Sequence, residues 1–462
     1  MSVDATEANW IDREVLSIDS DTPALACHSE LTYLQAKHHV QQWTDTLVEH
    51  GVGAESTVAI QLAPSFTFIF LVLASWRLGA QLNLIDFRLS PAELAQLLHQ
   101  RQPQLLIRGA ESKLKPQSFT ENLDVTLEHR SEGRTRSSAH CLVQFTSGST
   151  GQPKTVGRTA QSLIEELVRF DRIPGSTRQG DRVLLLNSIS HTFGLLGGVL
   201  HTLRSGAGLV FADRPLGRTI VTQLYEAQAN VVFGVPFHFE MMAATPAGTT
   251  ENPLRIAVSG GELMPARIRD AFQARFGVPV GEAYGMTEVG IIAADYLGDY
   301  PGTVGPLTSS VRGRVAHGQL QVWIGATPYL SDGLGNTFSD GWLSTHDTAV
   351  VDERAVVTIG ARTDSLVVIG GLKVDLGEVE AVLSTHPAVS AAVVVMGTNI
   401  EAYVETTEPI DLADLAAWCS TRLAAVKIPK AATALPALPR TPTGKLTRDR
   451  QALLAASVRA TS

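Results

Sequence analysis

The sequence predicts a mixed α/β protein that ends in a smaller α+β unit. Short continuous apolar runs at 183–186, 208–211, 231–233 and 255–258 are separated by segments of helical length, which is typical of buried parallel strands. From Ser365 onward the pattern changes to strand, turn, helix, strand and helix, which indicates an α+β unit of its own. A chain of 462 residues is too long for one hydrophobic core, so two or three domains are expected.

The other elements follow from local patterns. Residues 31–109 alternate helical patterns with short apolar runs, which indicates α/β layering. Within them, the apolar run 66–75 is too short to span a bilayer and is predicted as a buried helix. Residues 111–139 are polar and charged, and are predicted as a surface connection. The stretches 318–324 and 355–359 are predicted as antiparallel strands.

The carboxyl-terminal unit is assigned three further elements from its periodicity. They are a helix at 376–385, a strand at 389–396 and a helix at 412–423. The alternation of types within so short a segment favours a small sheet covered by helices.

Composition restricts the class of protein. The content of 44% apolar and 18% charged residues is that of an ordinary globular protein. A net charge of -9 without a basic stripe argues against a nucleic-acid partner. The three cysteines are far apart and form no C-x-x-C, so neither a disulfide framework nor a zinc site is expected. The acidic amino-terminal residues lack an apolar h-region, and a cytoplasmic protein without membrane attachment is expected.

The run 145–154, F-T-S-G-S-T-G-Q-P-K, has the composition of a phosphate-binding loop. Glycines let the backbone turn its N–H groups toward an anion, and hydroxyls and a lysine add donors. The spacing is not that of a Walker loop. The alternative is a flexible Ser/Gly linker.

This run resembles the phosphate-binding signature of the adenylate-forming superfamily, which includes acyl- and aryl-CoA synthetases, peptide-synthetase adenylation domains and luciferases. Only Thr155, where glycine is usual, departs from the pattern. Four further blocks resemble family blocks in the family's order, at 281–288, 341–347, 362–380 and 439–445. The chain looks most like the stand-alone acyl or aryl acid–thiol ligases.

The resemblance implies a domain organisation and a reaction. A large amino-terminal ATP- and acid-binding domain would span 1–360, a hinge 361–364, and a mobile carboxyl-terminal domain 365–462. A carboxylate would attack the α-phosphorus of ATP, giving acyl-AMP and pyrophosphate, before transfer to a thiol. Two anions must meet in the first step, so positive charge and alignment are required.

The resemblance gives four residues catalytic roles. Lys445 would bridge the carboxylate and the α-phosphate, although a lysine in a Pro/Gly-rich tail is ordinarily solvated. Thr287 would contact the α-phosphate and Glu288 would hold Mg²⁺, although a Thr-Glu pair can also cap a helix. His191, in an H-x-x-G segment, would border the acid pocket, with a satisfied core histidine as the alternative.

Nucleotide contacts are also implied by the resemblance. Tyr284 would lie along the adenine, Asp347 would accept both ribose hydroxyls, and Arg362 would reach the ribose or a phosphate. An ordinary surface ion pair is the alternative for the last two. His346 stands where glycine is usual, and a side chain there would crowd the ribose. The full set of expected ATP and AMP contacts is Thr146, Ser147, Gly148, Ser149, Thr150, Gly151, Lys154, Gly260, Gly261, Glu262, Tyr284, Gly285, Met286, Asp347 and Arg362.

The acid and the thiol are less closely specified by the sequence. Amino-acid-activating relatives carry an aspartate near the H-x-x-G segment, whereas no carboxylate lies between Asp181 and Asp213 here, which favours an uncharged aliphatic or aryl acid. Asp364 would act as the hinge and Gly371 would face the thiol tunnel. The expected acid-pocket residues are His191, Thr192, Gly194, Phe237, Ser259 and Gly281.

Three alternatives stay open at the level of sequence. Residues 427–430 resemble CoA ligases and favour CoA, whereas 374–378 resemble carrier-protein-loading enzymes, which favours the phosphopantetheine of an acyl carrier protein. A nucleotide-binding paralogue without catalysis would be expected to lose Lys445, Glu288 or Arg362, which are all present. A luciferase-like oxidation shares all five blocks.

Overall fold

A computed structural model shows two compact units. The structure describes residues 9–89, 91–109, 119–146, 154–246, 252–330, 337–362, 366–369, 372–406, 408, 410–423, 427–441 and 444–461. The first unit comprises Met1–Arg312, Trp323–Trp342 and Asp352–Val357, and the second comprises Gly313–Val322, Leu343–Val351 and Thr358–Ser462.

Strands and helices alternate through the first unit, as a mixed α/β fold requires. The strands are β1 (Pro23–Ala26), β2 (Glu30–Thr32), β3 (Thr57–Gln61), β4 (Gln81–Leu84), β5 (Leu105–Gly109), β6 (Val125–His129), β7 (His140–Thr146), β8 (Lys154–Thr159), β9 (Arg182–Leu185), β10 (Gly208–Val210), β11 (Val231–Gly234), β12 (Ile256–Gly260), β13 (Val280–Met286) and β14 (Gly290–Asp295). The helices are α1 (Trp10–Glu14), α2 (Tyr33–Glu49), α3 (Phe66–Arg77), α4 (Pro91–Arg101), α5 (Ala160–Asp171), α6 (His201–Ser205), α7 (Gly217–Glu226), α8 (Pro236–Ala244) and α9 (Ala266–Phe276), with a π-helical segment at Phe193–Leu200.

The remaining elements complete the described chain. The strands are β15 (Gly313–Ala316), β16 (Gln319–Trp323), β17 (Phe338–Ser339), β18 (Trp342–Val351), β19 (Val357–Arg362), β20 (Leu366–Ile369), β21 (Leu372–Asp375), β22 (Val389–Met396), β23 (Ile400–Thr406) and β24 (Ala431–Leu435). The helices are α10 (Leu376–Ser384), α11 (Leu412–Ser420) and α12 (Arg450–Thr461).

The eight-stranded sheet of the first unit contains the predicted buried strands. Its order is β14-β13-β12-β11-β9-β10-β1-β2, and β9 to β13 all run parallel. The four apolar runs predicted as parallel strands are therefore confirmed as β9, β10, β11 and β12. Because these strands are parallel, their carboxyl ends meet at one edge of the sheet.

A second sheet, of order β6-β5-β3-β4-β7-β8, ends in the antiparallel pair β7 and β8. The apolar helix α3 belongs to the hydrophobic core of this unit, and each of its residues from Phe66 to Trp76 is buried. The Ser65 hydroxyl caps this helix by accepting the Phe68 N–H at 3.0 Å, which confirms the predicted buried helix. Among the described residues, no helix combines the length and apolarity needed to cross a membrane.

Part of the predicted surface connection is a strand. Residues 125–129 form β6, which pairs antiparallel with β5 at the edge of the second sheet. Val125 and Leu127 alternate with polar residues and pack against the hydrophobic core. An edge strand needs only one apolar face, so two apolar side chains suffice to place it in the sheet.

The second unit contains the α+β elements predicted after Ser365. β22 and β23 are antiparallel, β24 joins β23 in parallel, and α10 and α11 contribute to the core against them. The strand predicted at 389–396 is confirmed, whereas α11 ends at Ser420, three residues before the predicted end. A separate hairpin, β15 and β16, and the strands β18 and β19 belong largely to the same unit.

Candidate active site

Four strand ends of the parallel sheet carry the predicted acid and adenine residues. His191 follows β9, and Phe237 lies in α8 directly after β11. Gly260 ends β12, and Tyr284 lies near the end of β13. Because the four strands run parallel, these residues lie at the same edge of the sheet.

The hairpin of β7 and β8 positions the ends of the predicted phosphate loop. Thr146 faces Lys154 across the hairpin, whereas Ser147, Gly148, Ser149, Thr150 and Gly151 lie outside the described residues. Thr155, which replaces the usual glycine, is buried with 4% exposure.

One hydrogen-bond pair joins this hairpin to the segment that carries His191. The Gln144 side chain donates to the Ser190 carbonyl at 2.9 Å and accepts the Thr192 hydroxyl at 2.8 Å. The predicted acid residue Thr192 is thus held to the strand that leads into the phosphate loop, and the structure brings these two candidate regions together.

Close backbone packing explains two glycines of the predicted acid pocket. A Cβ on Gly194 would lie 2.2 Å from the Ser188 carbonyl oxygen, and one on Gly281 would lie 1.9 Å from the Asp295 carbonyl oxygen. Gly281 therefore packs against the neighbouring strand β14. Its predicted contact with the acid stays a prediction, as does that of the buried Ser259.

The π-helical segment begins at Phe193, whose ring lies beneath the end of β12. A Cβ on Gly260 would lie 2.8 Å from that ring, so the glycine permits the contact. π-Helical turns are rare and occur frequently at functional sites. This segment follows His191 directly and lies against the predicted adenine strand.

A buried ion pair, not predicted from the sequence, lies behind the turn between β13 and β14. Arg158 of β8 donates to Glu166 of α5 at 3.0 Å, and their side chains are 4% and 1% exposed. Arg158 also donates to the Thr287 carbonyl at 3.4 Å, and Glu166 accepts the Ile291 N–H at 3.0 Å. The pair thereby holds both sides of the turn that carries Thr287 and Glu288.

Arg169 adds a further contact to the same turn. Its guanidinium donates to the Val289 carbonyl at 2.9 Å. Burial lowers the pKa of Arg169, and the nearby Arg158 lowers it further, while Glu166 opposes both. The turn is therefore held by side chains from β8 and α5 at three backbone positions.

Tyr329 is a further residue of this site that the sequence did not indicate. Its hydroxyl donates to Glu288 Oε1 at 2.9 Å, and Lys154 Nζ lies 5.7 Å from its ring centroid. Burial and the Glu288 carboxylate raise the pKa of Tyr329 above its usual range. Tyr329 therefore lies next to both Glu288, the candidate magnesium ligand, and Lys154, the last residue of the phosphate run.

Glu282 of β13 is a buried carboxyl beside the predicted adenine segment. Burial raises the pKa of Glu282 to about 7, and Asp295 adds to the effect. Its Oε2 accepts the Met264 N–H at 3.1 Å, which connects it to the loop after Gly260, Gly261 and Glu262. Gly261 has φ +102°, a conformation that glycine adopts without strain.

Asp86 is an acidic residue near His191 that the sequence did not indicate. Burial alone would raise the pKa of Asp86, but the hydrogen bonds and charge of Arg88, with a smaller effect of His191, hold it below the usual value. Arg88 donates to both carboxylate oxygens, at 2.8 and 2.9 Å.

The second unit contains the other predicted nucleotide residues. Asp347, 8% exposed, lies on β18 with its Oδ1 3.5 Å from Arg362 Nη1. The Asp347 N–H donates to the Thr345 hydroxyl at 3.1 Å. His346 adopts φ +62°, a left-handed backbone conformation that glycine adopts without strain. This conformation explains why glycine is usual at the position.

Lys445 is exposed and directly follows Gly444, which has φ +87°. The Gly444 carbonyl accepts Arg440 Nη1 at 3.0 Å, which holds the residue directly before the lysine to Arg440. The predicted hinge residue Asp364 and tunnel residue Gly371 lie outside the described residues.

Strands β7 and β8 carry the two ends of a run with phosphate-binding composition, and β7 is hydrogen-bonded to a segment at the carboxyl edge of a parallel sheet, which is typical of a nucleotide-binding class of protein. The family model of the AMP-binding enzyme matches residues 13–322, and that of the AMP-binding enzyme C-terminal domain matches residues 378–445. The chain therefore belongs to the AMP-binding enzyme family.

Relatives of known name extend over most of the chain. A 2-succinylbenzoate–CoA ligase of Bacillus licheniformis is 26% identical and covers 96% of this chain and 98% of its own. A benzoate–CoA ligase of Thauera aromatica is 29% identical over 68% of this chain and 66% of its own.

Solved structures share the fold. O-succinylbenzoate coenzyme A synthetase from Bacillus subtilis, in complex with AMP, has a TM-score of 0.79 at 22% identity and covers 96% of this chain and 98% of its own. ATP-bound MatB from Rhodopseudomonas palustris has a TM-score of 0.81 at 22% identity, covering 98% and 99%. These neighbours confirm the large amino-terminal fold followed by a smaller carboxyl-terminal one.

Proposed function

We propose that this protein activates a carboxylic acid with ATP and passes the acyl group to the thiol of CoA. In the first step a carboxylate oxygen bonds to the α-phosphorus and the bond to pyrophosphate breaks, which leaves acyl-AMP. In the second step the thiolate attacks the acyl carbon and AMP leaves. The protein is thus an AMP-forming acid–thiol ligase.

One observation carries the proposal. Strands β7 and β8 carry the two ends of the phosphate loop. Through Gln144 and Thr192 this hairpin is hydrogen-bonded to the segment of His191, a candidate residue of the acid pocket. A triphosphate at the loop and an acid at the sheet edge would therefore be neighbours. Bringing two reactants together in one site is a main source of rate enhancement.

The negative charges of the acid and of ATP are proposed to be neutralised by Lys445 and by the phosphate loop. Lys445 would bridge the acid carboxylate and the α-phosphate, and Thr287 would contact the α-phosphate. Lys154 and the loop residues would hold the other phosphates. Asp347 would accept the ribose hydroxyls, and Arg362, 3.5 Å from it, would reach the ribose or a phosphate.

The side chains fit a magnesium ion bound mainly through ATP. Within the described part of the chain, no group of three or more His, Cys, Asp or Glu side chains could hold a metal ion. Mg²⁺ in such enzymes needs only one or two carboxylates, because substrate phosphates and water supply the remaining oxygens. Glu288 would provide this carboxylate, and the bound ion would draw negative charge from the phosphates.

The acid is proposed to be uncharged apart from its carboxylate, either aryl or aliphatic. Thr192 occupies the position near which amino-acid-activating relatives carry an aspartate, and its hydroxyl bonds Gln144. Asp86 lies in the same region but is neutralised by Arg88. Relatives named for benzoate and long-chain fatty acids support an acid of this kind, whereas 2-succinylbenzoate carries a second carboxylate and supports only the aryl class.

The thiol step requires Lys445 to leave the site. Asp364 is proposed as the hinge residue, since a few residues can absorb a large change in φ and ψ. Gly371 is proposed to border the thiol tunnel, where a side chain would block a pantetheine arm. CoA is preferred over a carrier protein because the named relatives are CoA ligases.

The test is acid-dependent exchange of labelled pyrophosphate into ATP, measured against aryl, fatty and amino acids. An aryl or aliphatic acid should support exchange, whereas α-amino acids should not. CoA or a holo carrier protein is then added and thioester is measured. ATP binding without exchange for any acid would contradict the proposal and favour a nucleotide-binding paralogue.

A further inference from the structure

The segment around Tyr329 is held against strand β8 by backbone hydrogen bonds. The Leu330 N–H donates to the Thr155 carbonyl at 3.0 Å, and the Gly157 N–H donates to the Pro328 carbonyl at 2.8 Å. Val156 and Tyr329 form an antiparallel bridge between these two bonds. The backbone of Tyr329 is therefore fixed next to the end of the phosphate loop.

The side chain of Tyr329 lies between two charged groups. Its hydroxyl donates to Glu288 Oε1 at 2.9 Å, a hydrogen bond to a charged acceptor. Lys154 Nζ lies 5.7 Å from the ring centroid, near the outer limit of a cation–π contact. A phenylalanine would keep the ring and its contact with Lys154, and would lose only the bond to Glu288.

A glutamate side chain in a turn would otherwise sample several rotamers. The conformational entropy lost when a free Glu side chain is fixed on binding can lower an affinity by up to about 30-fold. The backbone of this turn is already held by Arg158 and Arg169. The Tyr329 hydroxyl extends that restraint to the carboxylate itself, so less freedom is lost when the carboxylate binds a cation.

We infer that Tyr329 is a positioning residue that orients the Glu288 carboxylate for the magnesium ion of Mg–ATP. The inference rests on the proposed function, because Glu288 is the carboxylate assigned to Mg²⁺ there. Tyr329 acts through Glu288 and does not itself touch the reacting atoms. Its loss should therefore weaken the binding of metal–nucleotide more than it slows the chemical step at saturating metal.

The test compares Tyr329→Phe with Tyr225→Phe in the full chain. Tyr225 is a half-buried tyrosine that packs against the separate core beneath α7, so its variant controls for loss of a phenol hydroxyl. Binding of Mn²⁺ in the presence of ATP is measured by electron paramagnetic resonance. The Mg²⁺ dependence of pyrophosphate exchange is measured in parallel.

Tyr329→Phe should weaken Mn–ATP binding by about tenfold, because the Glu288 side chain would then lose its conformational freedom on binding the cation. The Mg²⁺ concentration for half-maximal exchange should rise by a similar factor, and the maximal rate should change less than about threefold. The Tyr225→Phe variant should match the parent protein in both assays.

The outcomes separate this inference from the proposed function. If the parent exchanges pyrophosphate but Tyr329→Phe and Tyr225→Phe bind Mn–ATP equally, the inference is wrong and the proposed function stands. If no acid supports exchange but Tyr329→Phe binds Mn–ATP more weakly, the proposed function is wrong and the inference stands for a nucleotide-binding protein. Absence of any Mn–ATP binding by the parent would overturn both.

Discussion

Removal of the Glu166 carboxylate should strongly destabilise the first unit. Glu166 accepts both the Arg158 guanidinium and the Ile291 N–H at 3.0 Å, and its side chain is 1% exposed. Glu166→Leu would leave a guanidinium of 4% exposure without its carboxylate and an N–H without its acceptor. Breaking a buried ion pair in this way costs about 3 to 5 kcal/mol.

The effect is measured by urea unfolding followed by tryptophan fluorescence. Trp10 and Trp76 are buried in the first unit with ring centroids 5.5 Å apart, so the signal reports on that unit. Glu165→Leu, at the exposed neighbouring position of α5, is the matched control and should change the free energy of unfolding by no more than about 0.5 kcal/mol.

The double variant Arg158→Met/Glu166→Leu tests the physical reason. The double variant also removes the Arg158 guanidinium that Glu166→Leu leaves without its carboxylate, so it should be more stable than Glu166→Leu by about 2 kcal/mol or more. A loss below about 1 kcal/mol for Glu166→Leu would refute the reasoning. Equal losses for the single and double variants would also refute it, since the cost would then come from packing.

Two further predictions concern single residues of the two units. Because burial raises the pKa of Glu282 from 4.5 to about 7, the folded protein keeps a proton that the unfolded chain releases between these values. Stability should therefore fall as the pH rises through this window, by up to about 3 kcal/mol relative to Glu282→Gln. For His346, whose φ is +62°, exchange to glycine should stabilise the second unit by about 1 kcal/mol, measured by amide hydrogen exchange of the core helices α10 and α11.

A specific result would contradict each of these two predictions. A constant difference in unfolding free energy between the parent and Glu282→Gln from about pH 5 to about pH 8 would show that the pKa of Glu282 is not raised in the folded protein. Val350→Gly, at an exposed residue later in the same strand, should instead destabilise, because glycine weakens an extended strand. If His346→Gly destabilises as Val350→Gly does, the backbone at position 346 carries no strain.

Elements with a strong local pattern could be predicted from the sequence. The apolar runs that became β9 to β12 and the helix α3 lie where their patterns indicate. The strand β6 was missed because only Val125 and Leu127 mark its buried face. A polar edge strand gives little periodic signal, so its place depends on the neighbouring strand.

Only the residues of the candidate site that lie within sequence motifs could be predicted. Tyr329 and Glu288 are 41 positions apart and meet because two segments pair with different strands, which no local pattern reveals. The position of Glu166 in the sequence does indicate a buried ion pair. Glu166 occupies the buried face of α5 with Leu163, Leu167 and Phe170, where a charged residue indicates a buried partner.

The most direct test of the account is the rate of acyl-adenylate formation by Lys445→Ala in a single turnover. ATP and an acid that supports exchange are supplied at saturation, and Lys430→Ala, at another exposed lysine of the second unit, is the control. Lys445→Ala should lower this rate by at least about 100-fold and Lys430→Ala should leave it at the parental value, because only Lys445 supplies positive charge to the two reacting anions. A parental rate for Lys445→Ala would contradict this role.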